Sequence, residues 1–198
     1  HYDSHRKNEK KGLNWVSMWV DWQVDFRRYL EIWRFFQSGQ FAFIGGLPSD
    51  LVEEYRQRQI GNLLENLKAV DSTVDRAVSG VVGVLDIIFK VTQVFEFVAR
   101  LCEKKILSGP VNVSIELRNV ENFALSLQGD FGRNFLTLYQ FSDKCLPYAI
   151  VVDSMELVSN SEMLSVNACE WIFDKFGWGK GKREFIAQKR SEFMQVSC

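Results

Sequence analysis

Histidine is nearly absent from this chain, since its two copies, His1 and His5, stand at the very start. No positioned imidazole is therefore available as a general base, as a triad member or as a metal ligand. A thiol nucleophile would lack its usual histidine partner as well. We predict no catalytic residues, no metal and no cofactor, and the balance leans away from an enzyme. A carboxylate site built by Asp86, Glu96 and Glu116 stays open as an alternative, which only convergence in three dimensions would show.

Paired cysteines and long apolar runs are also missing. The four cysteines are widely spaced and form no CxxC pair, which predicts free thiols in a reducing cytosol. The most apolar stretch, Val81 to Leu101, is interrupted by four charged residues, so it predicts a core helix and no membrane span. The polar start, His1 to Lys11, is not a signal peptide. We therefore expect a cytoplasmic chain and, because it does not begin with Met, a piece of a longer protein.

An excess of charge of one sign is the third absence. Lys and Arg number 24 and Asp and Glu number 25, which leaves a net charge of −1. Dedicated nucleic-acid binders usually carry a basic excess, so this balance argues mildly against nucleic acid as the partner. What the chain has in quantity is aromatic side chains, with sixteen Phe and six Trp. Such a composition favours a sheet with helices packed on it.

We predict a flexible lead-in over 1–12 and a single α+β domain over 13–198. The start of that domain allows two interpretations. Within Trp15 to Phe41 the aromatic residues recur at helical spacing, yet two aromatic runs flank Ser38-Gly39, a typical hairpin turn. We favour the hairpin, with strands over 29–37 and 40–47 and a further strand over 15–24. A helix should follow Pro48-Ser49-Asp50, with Asp50 as its N-cap.

The remaining pattern predicts strands and helices in alternation. The apolar stripe from Leu85 to Cys102 predicts a central helix, ended before Ser108-Gly109-Pro110. The alternating run Val111 to Leu117 predicts a half-buried strand, with Phe123 to Leu127 returning as its partner. The pattern also predicts strands over 135–141 and 147–152, a helix from about 160 with a left-handed cap at Gly177, and a helix over 182–195. This order predicts an α+β fold with an antiparallel sheet and helices packed mainly on one face.

One local basic cluster offers a candidate nucleic-acid site near the end of the chain. It consists of Trp178, Lys180, Lys182, Arg183, Lys189 and Arg190. The tryptophan could stack on a base while the cations contact phosphates. A solvated helix face with a packed tryptophan is the simpler interpretation. Weak, non-specific binding requires these cations to lie on the exposed face of the last helix.

Three stretches together resemble a family. They are RYLEIWRFFQSGQF (28–41), VTQVFEFVARL with VNVSIEL (91–101 and 111–117), and ACEWIFDKFGW (168–178). In this order they resemble the region that follows the AlbA-type, Schlafen-like DNA-binding domain of many bacterial proteins, over about Trp15 to Trp178. The AlbA-type domain itself is not in these residues, so no functional residue of the family is carried over.

The resemblance implies an accessory half of a bacterial DNA-associated or defence-type protein. We therefore predict a non-catalytic module for partner binding, sensing or oligomerisation. Its expected partner is another domain or subunit of its parent protein, with weak nucleic-acid binding as the runner-up and no membrane association. An oligomer is compatible with this prediction.

Overall fold

The computed structural model describes residues 6–12, 14–24, 27–46, 53–69, 77–127, 135–179 and 181–196. The chain divides into two compact units, residues 1–61 and 62–198. This differs from the single domain predicted over 13–198. The predicted lead-in over 1–12 is corrected as well, because its second half forms a strand.

The first unit contains a four-stranded antiparallel meander. Its strands are β1 (Arg6–Gly12), β2 (Trp15–Val24), β3 (Arg27–Phe36) and β4 (Phe41–Gly45), in the spatial order β1-β2-β3-β4. The hairpin interpretation is confirmed: the β3–β4 turn contains Gly39, whose φ of +82° is costly for residues with a Cβ. β1 is rich in lysine and lies at a sheet edge, where charged side chains discourage pairing with other chains.

A helix follows this meander. Helix α1 (Glu53–Lys68) crosses the boundary between the two units. Its side chains Leu63 and Leu67 are buried. The predicted cap Asp50 lies outside the described residues.

Three helices build most of the second unit. They are α2 (Val84–Glu103), α3 (Ser154–Lys175) and α4 (Arg183–Val196). The predicted central helix is confirmed as α2, whose residues Ile88, Val91, Phe95 and Ala99 are buried at three- and four-residue steps. Phe95 is fully buried, so it belongs to the core.

The strands of the second unit form two small sheets. β5 (Gly80–Gly83) pairs in parallel with β7 (Phe123–Ser126), and β7 pairs with β8 (Gln140–Phe141); β6 (Pro110–Arg118) pairs antiparallel with β9 (Cys145–Asp153). The predicted pairing of β6 with β7 is therefore wrong. β5 and β7 are buried throughout, which suits adjacent strands covered on both faces, whereas β6 and β9 both alternate. The strand predicted over 135–141 is reduced to its last two residues.

Helix α3 begins earlier than predicted. Asp153 caps it by accepting a hydrogen bond from the Met155 backbone N–H at 2.9 Å. The helix is interrupted at Asn160, where φ is −130° and ψ is 20°. Its predicted start, near residue 160, is thus an internal break. At the other end Gly177 (φ +87°) completes a left-handed cap, with Gly177 N–H bonded to the Asp174 carbonyl and Trp178 N–H to that of Phe173.

The elements together confirm the α+β class, with antiparallel and mixed sheets. In the part of the chain that the structure describes, no helix is both long and apolar enough to cross a membrane.

Candidate functional site

Trp178, the predicted stacking residue, lies in an aromatic cluster just after α3. Its ring centroid lies 4.8 Å from Phe135, 5.3 Å from Phe173 and 6.0 Å from Phe185. Tyr139 adds a stacked contact at 6.3 Å. The indole therefore packs within the second unit, on both the loop before β8 and helix α4.

Lys182 is 4% exposed and does not face solvent. Its Nζ donates to the carbonyls of Trp178 at 2.6 Å and Gly179 at 3.0 Å, and to the Asp174 carboxylate. An ammonium has three N–H donors, and these three acceptors use all of them. The lysine therefore satisfies the orphan carbonyls of the α3–α4 connection and has no donor left for a phosphate.

Arg190 joins the helices α2, α3 and α4. Its Nε donates to Ser165 Oγ at 3.0 Å, its Nη2 to Glu96 Oε1 at 2.5 Å, and its Nη1 lies 3.2 Å from Glu162 Oε2. Ser161 Oγ also donates to Glu96, at 2.9 Å. The guanidinium group thus links α4 to carboxylates on α2 and α3, and its positive charge is paired with Glu96 and Glu162.

The other predicted cations are paired as well, where they are described. Lys189 is buried, and its Nζ lies 2.7 Å from Glu192. Arg183 is exposed and contacts Asn167 and the Glu170 carboxylate. Lys180 lies outside the described residues. Lys182, Lys189 and Arg190 therefore fail the requirement for an exposed helix face, and nucleic-acid binding through this cluster stays a prediction.

Two thiols of the second unit differ in accessibility. Burial raises the pKa of the Cys169 thiol strongly, so it stays protonated. Cys145 is half-buried, and its Sγ donates to Glu116 Oε1 at 2.8 Å. That hydrogen bond, followed by desolvation, raises the pKa of Cys145. Both thiols are therefore poorer nucleophiles than an ordinary cysteine.

The described residues hold no group of three or more His, Cys, Asp or Glu side chains that could bind a metal ion. Of the three carboxylates of the alternative site, Glu96 contacts Arg190, whereas Glu116 contacts Arg118 and Cys145. These two carboxylates thus belong to separate clusters.

No protein-family model, curated protein or solved structure matches the chain.

The first unit carries a surface that the sequence-based predictions do not include, which we call the aromatic face. By register it consists of two rows across the four strands. One row is Lys11, Val16, Phe35 and Phe41, and the other is Glu9, Met18, Trp33 and Phe43. Glu31 lies one position further along β3 on the same face.

The rings of the aromatic face contact one another from strand to strand. Trp33 lies 4.4 Å from Phe43 and 5.6 Å from Phe41, between ring centroids, and Phe35 lies 6.5 Å from Phe41. Phe36 N–H bonds to the Gln40 carbonyl, so by alternation Trp33 and Phe43 form a non-hydrogen-bonded pair, in which side chains approach closely. These aromatic cross-strand contacts stabilise the hairpin.

Methionine and valine in an interior strand show that this face reaches solvent. Met18 is 52% exposed and Val16 is 39% exposed, although β2 has a neighbouring strand on each side. Two-residue alternation would have revealed the face: Val16 with Met18, and Trp33 with Phe35. The helical spacing of the tryptophans in the same segment obscured it.

Proposed function

We propose that this chain is a non-catalytic interaction module of a larger protein, and that the aromatic face docks an apolar surface of another domain or subunit. The observation that carries the proposal is the 52% exposure of Met18 in the middle of an apolar sheet face. By the resemblance described above, the parent would be a bacterial DNA-associated or defence-type protein.

The composition of the aromatic face supports a protein partner. Phe, Trp and Met are enriched at the centres of protein interfaces, where charged residues are depleted. Here the central strands present Met18, Val16, Trp33 and Phe35. A contiguous exposed apolar patch on a folded chain usually marks an interaction site.

The placement of the basic residues also favours a protein partner over nucleic acid. A nucleic-acid footprint requires cations that can exchange counterions for phosphates. Lys182 and Arg190 instead hold carboxylates and carbonyls of their own chain. Because these cations are already paired within the chain, the C-terminal segment has fewer cations available for phosphates than its sequence suggests.

Methionine oxidation can test the proposal, because exposed thioethers react faster with dilute hydrogen peroxide. Met18 should oxidise readily in the dilute isolated chain, as should Met155, which is 80% exposed and serves as the matched control. In the parent assembly, isolated natively, Met18 should react several-fold more slowly while Met155 is unchanged. Peptide mass spectrometry measures both rates. An equal Met18 rate in the isolated chain and in the assembly would refute docking through the aromatic face.

A further inference from the structure

Between the two rows of the aromatic face lies a line of four residues that pair directly across the sheet. Lys10 pairs with Ser17, Ser17 with Arg34, and Arg34 with Ala42. Because side chains alternate along each strand, these four belong to the opposite face. The two rows of the aromatic face flank this line, one on either side. When two sheets are stacked face to face, a two-fold axis that runs parallel to this line, midway between the sheets, exchanges the rows.

Such an axis brings chemically matched residues together. Glu9 of one copy would face Lys11 of the other, and the reverse, giving two opposite-charge pairs. On β2, β3 and β4 the same axis places Val16 against Met18, Phe35 against Trp33, and Phe41 against Phe43, respectively. A two-fold interface needs this kind of self-complementarity, because each patch meets its own copy.

We propose that the docking partner is a second copy of this chain, joined by face-to-face stacking of two aromatic faces about this axis. The inference rests on the proposed function and names its partner. An axis perpendicular to the strands leaves the strands of the two sheets nearly aligned, as in ordinary sandwiches. In the isolated chain Lys11 Nζ lies 3.0 Å from Glu9 Oε1, and both side chains are mostly exposed. Stacking exchanges this pair in each of the two copies for two pairs between the copies, so the number of ion pairs is unchanged.

The overlap of the two sheets about this axis is small, as expected of a weak dimer. The axis row lies only two positions from the start of β2 and from the end of β3, so about five residues of each of the three longer strands overlap. Strands lie about 4.8 Å apart and rise about 3.4 Å per residue, so the overlap covers roughly 300 Å² in plan. The relief of the side chains adds to this area. A standard interface buries about 800 Å² per partner. We therefore expect a reversible dimer whose formation depends on concentration.

Sedimentation equilibrium across a concentration series tests the surface. The full chain should show a monomer–dimer equilibrium. Met18→Asp should raise the dimer Kd at least about a hundred-fold, because each dimer would bury two unpaired carboxylates. Ile44→Asp is the matched control, since Ile44 is 64% exposed and lies in register on the opposite face. That variant should keep the wild-type Kd, with melting curves showing that both variants fold.

Charge reversal tests the axis itself. Lys11→Glu should weaken the dimer about ten-fold, because it places acidic side chains opposite one another at two sites. Adding Glu9→Lys should restore the wild-type Kd, since the double exchange regenerates both pairs. A dimer that the second change does not rescue would exclude this axis.

The outcomes separate this inference from the proposed function. A chain that is monomeric at every concentration, with Met18 still protected in the parent assembly, would overturn the second-copy proposal alone. Met18 unprotected in both settings would overturn both proposals. A dimer that is lost on Ile44→Asp and kept on Met18→Asp would place the interface on the wrong face and overturn the inference.

Discussion

Replacing Arg190 by methionine should destabilise the second unit by removing the charge that joins the helices α2, α3 and α4. Methionine keeps most of the aliphatic bulk, so the change tests the guanidinium. The side chain is 8% exposed, and its loss leaves the Glu96 carboxylate, itself 20% exposed, without its cation. Removing one partner of a buried pair costs about 3–5 kcal/mol. Since water reaches Glu96 in part, we expect about 2–3 kcal/mol.

The double variant Glu96→Leu with Arg190→Met should be more stable than Arg190→Met alone. It removes the orphaned carboxylate together with the cation, so the two changes should couple by about 1–2 kcal/mol. Equilibrium urea unfolding measures this, followed by circular dichroism and by tryptophan fluorescence, whose coincidence checks two-state behaviour. With a urea slope of about 2 kcal/mol per molar, the single variant should lower the midpoint by about 1 M. A much smaller shift, or strictly additive costs, would refute the reasoning.

Three further predictions concern the core, a helix cap and a thiol. Phe95→Ala should cost about 3–5 kcal/mol, because the ring is fully buried, and a melting temperature near that of the wild type would contradict this. Gly177→Ala should cost about 1–2 kcal/mol because of its left-handed backbone, whereas Gly179→Ala should be nearly neutral in the same urea assay. Iodoacetamide should modify Cys145 slowly at neutral pH and faster as the pH rises. Glu116→Gln should lower the thiol pKa and speed the reaction at fixed pH, and an unchanged rate by peptide mass spectrometry would exclude the hydrogen bond as the cause.

Elements with local signals could be predicted from the sequence. The β3–β4 hairpin follows from two aromatic runs around Gly39, and α2 from one unbroken apolar stripe. The cap at Gly177 follows from a glycine at the end of a helical pattern. In each case the residues that decide the structure lie within a few positions of one another.

Features that depend on distant residues could not be predicted in the same way. β7 pairs with β5, which is separated from it by α2 and β6, although β6 is its nearer neighbour in sequence. Arg190 is indistinguishable from a solvated surface cation until α2 brings Glu96 beside it. For this reason the sequence alone favours an exposed helix face for the basic cluster, and only the strand register reveals the aromatic face.

The strand connectivity also orders events during synthesis. In the first sheet every strand pairs with the strand that directly precedes or follows it, so pairing can be complete once β4 has left the ribosome. In the second unit β5 must wait for β7, and β6 for β9, and strands that wait unpaired are prone to aggregate. A nascent chain paused after β6 would carry a finished first sheet and an unpaired apolar β5. Rapid elongation through this interval should therefore favour the yield of native protein.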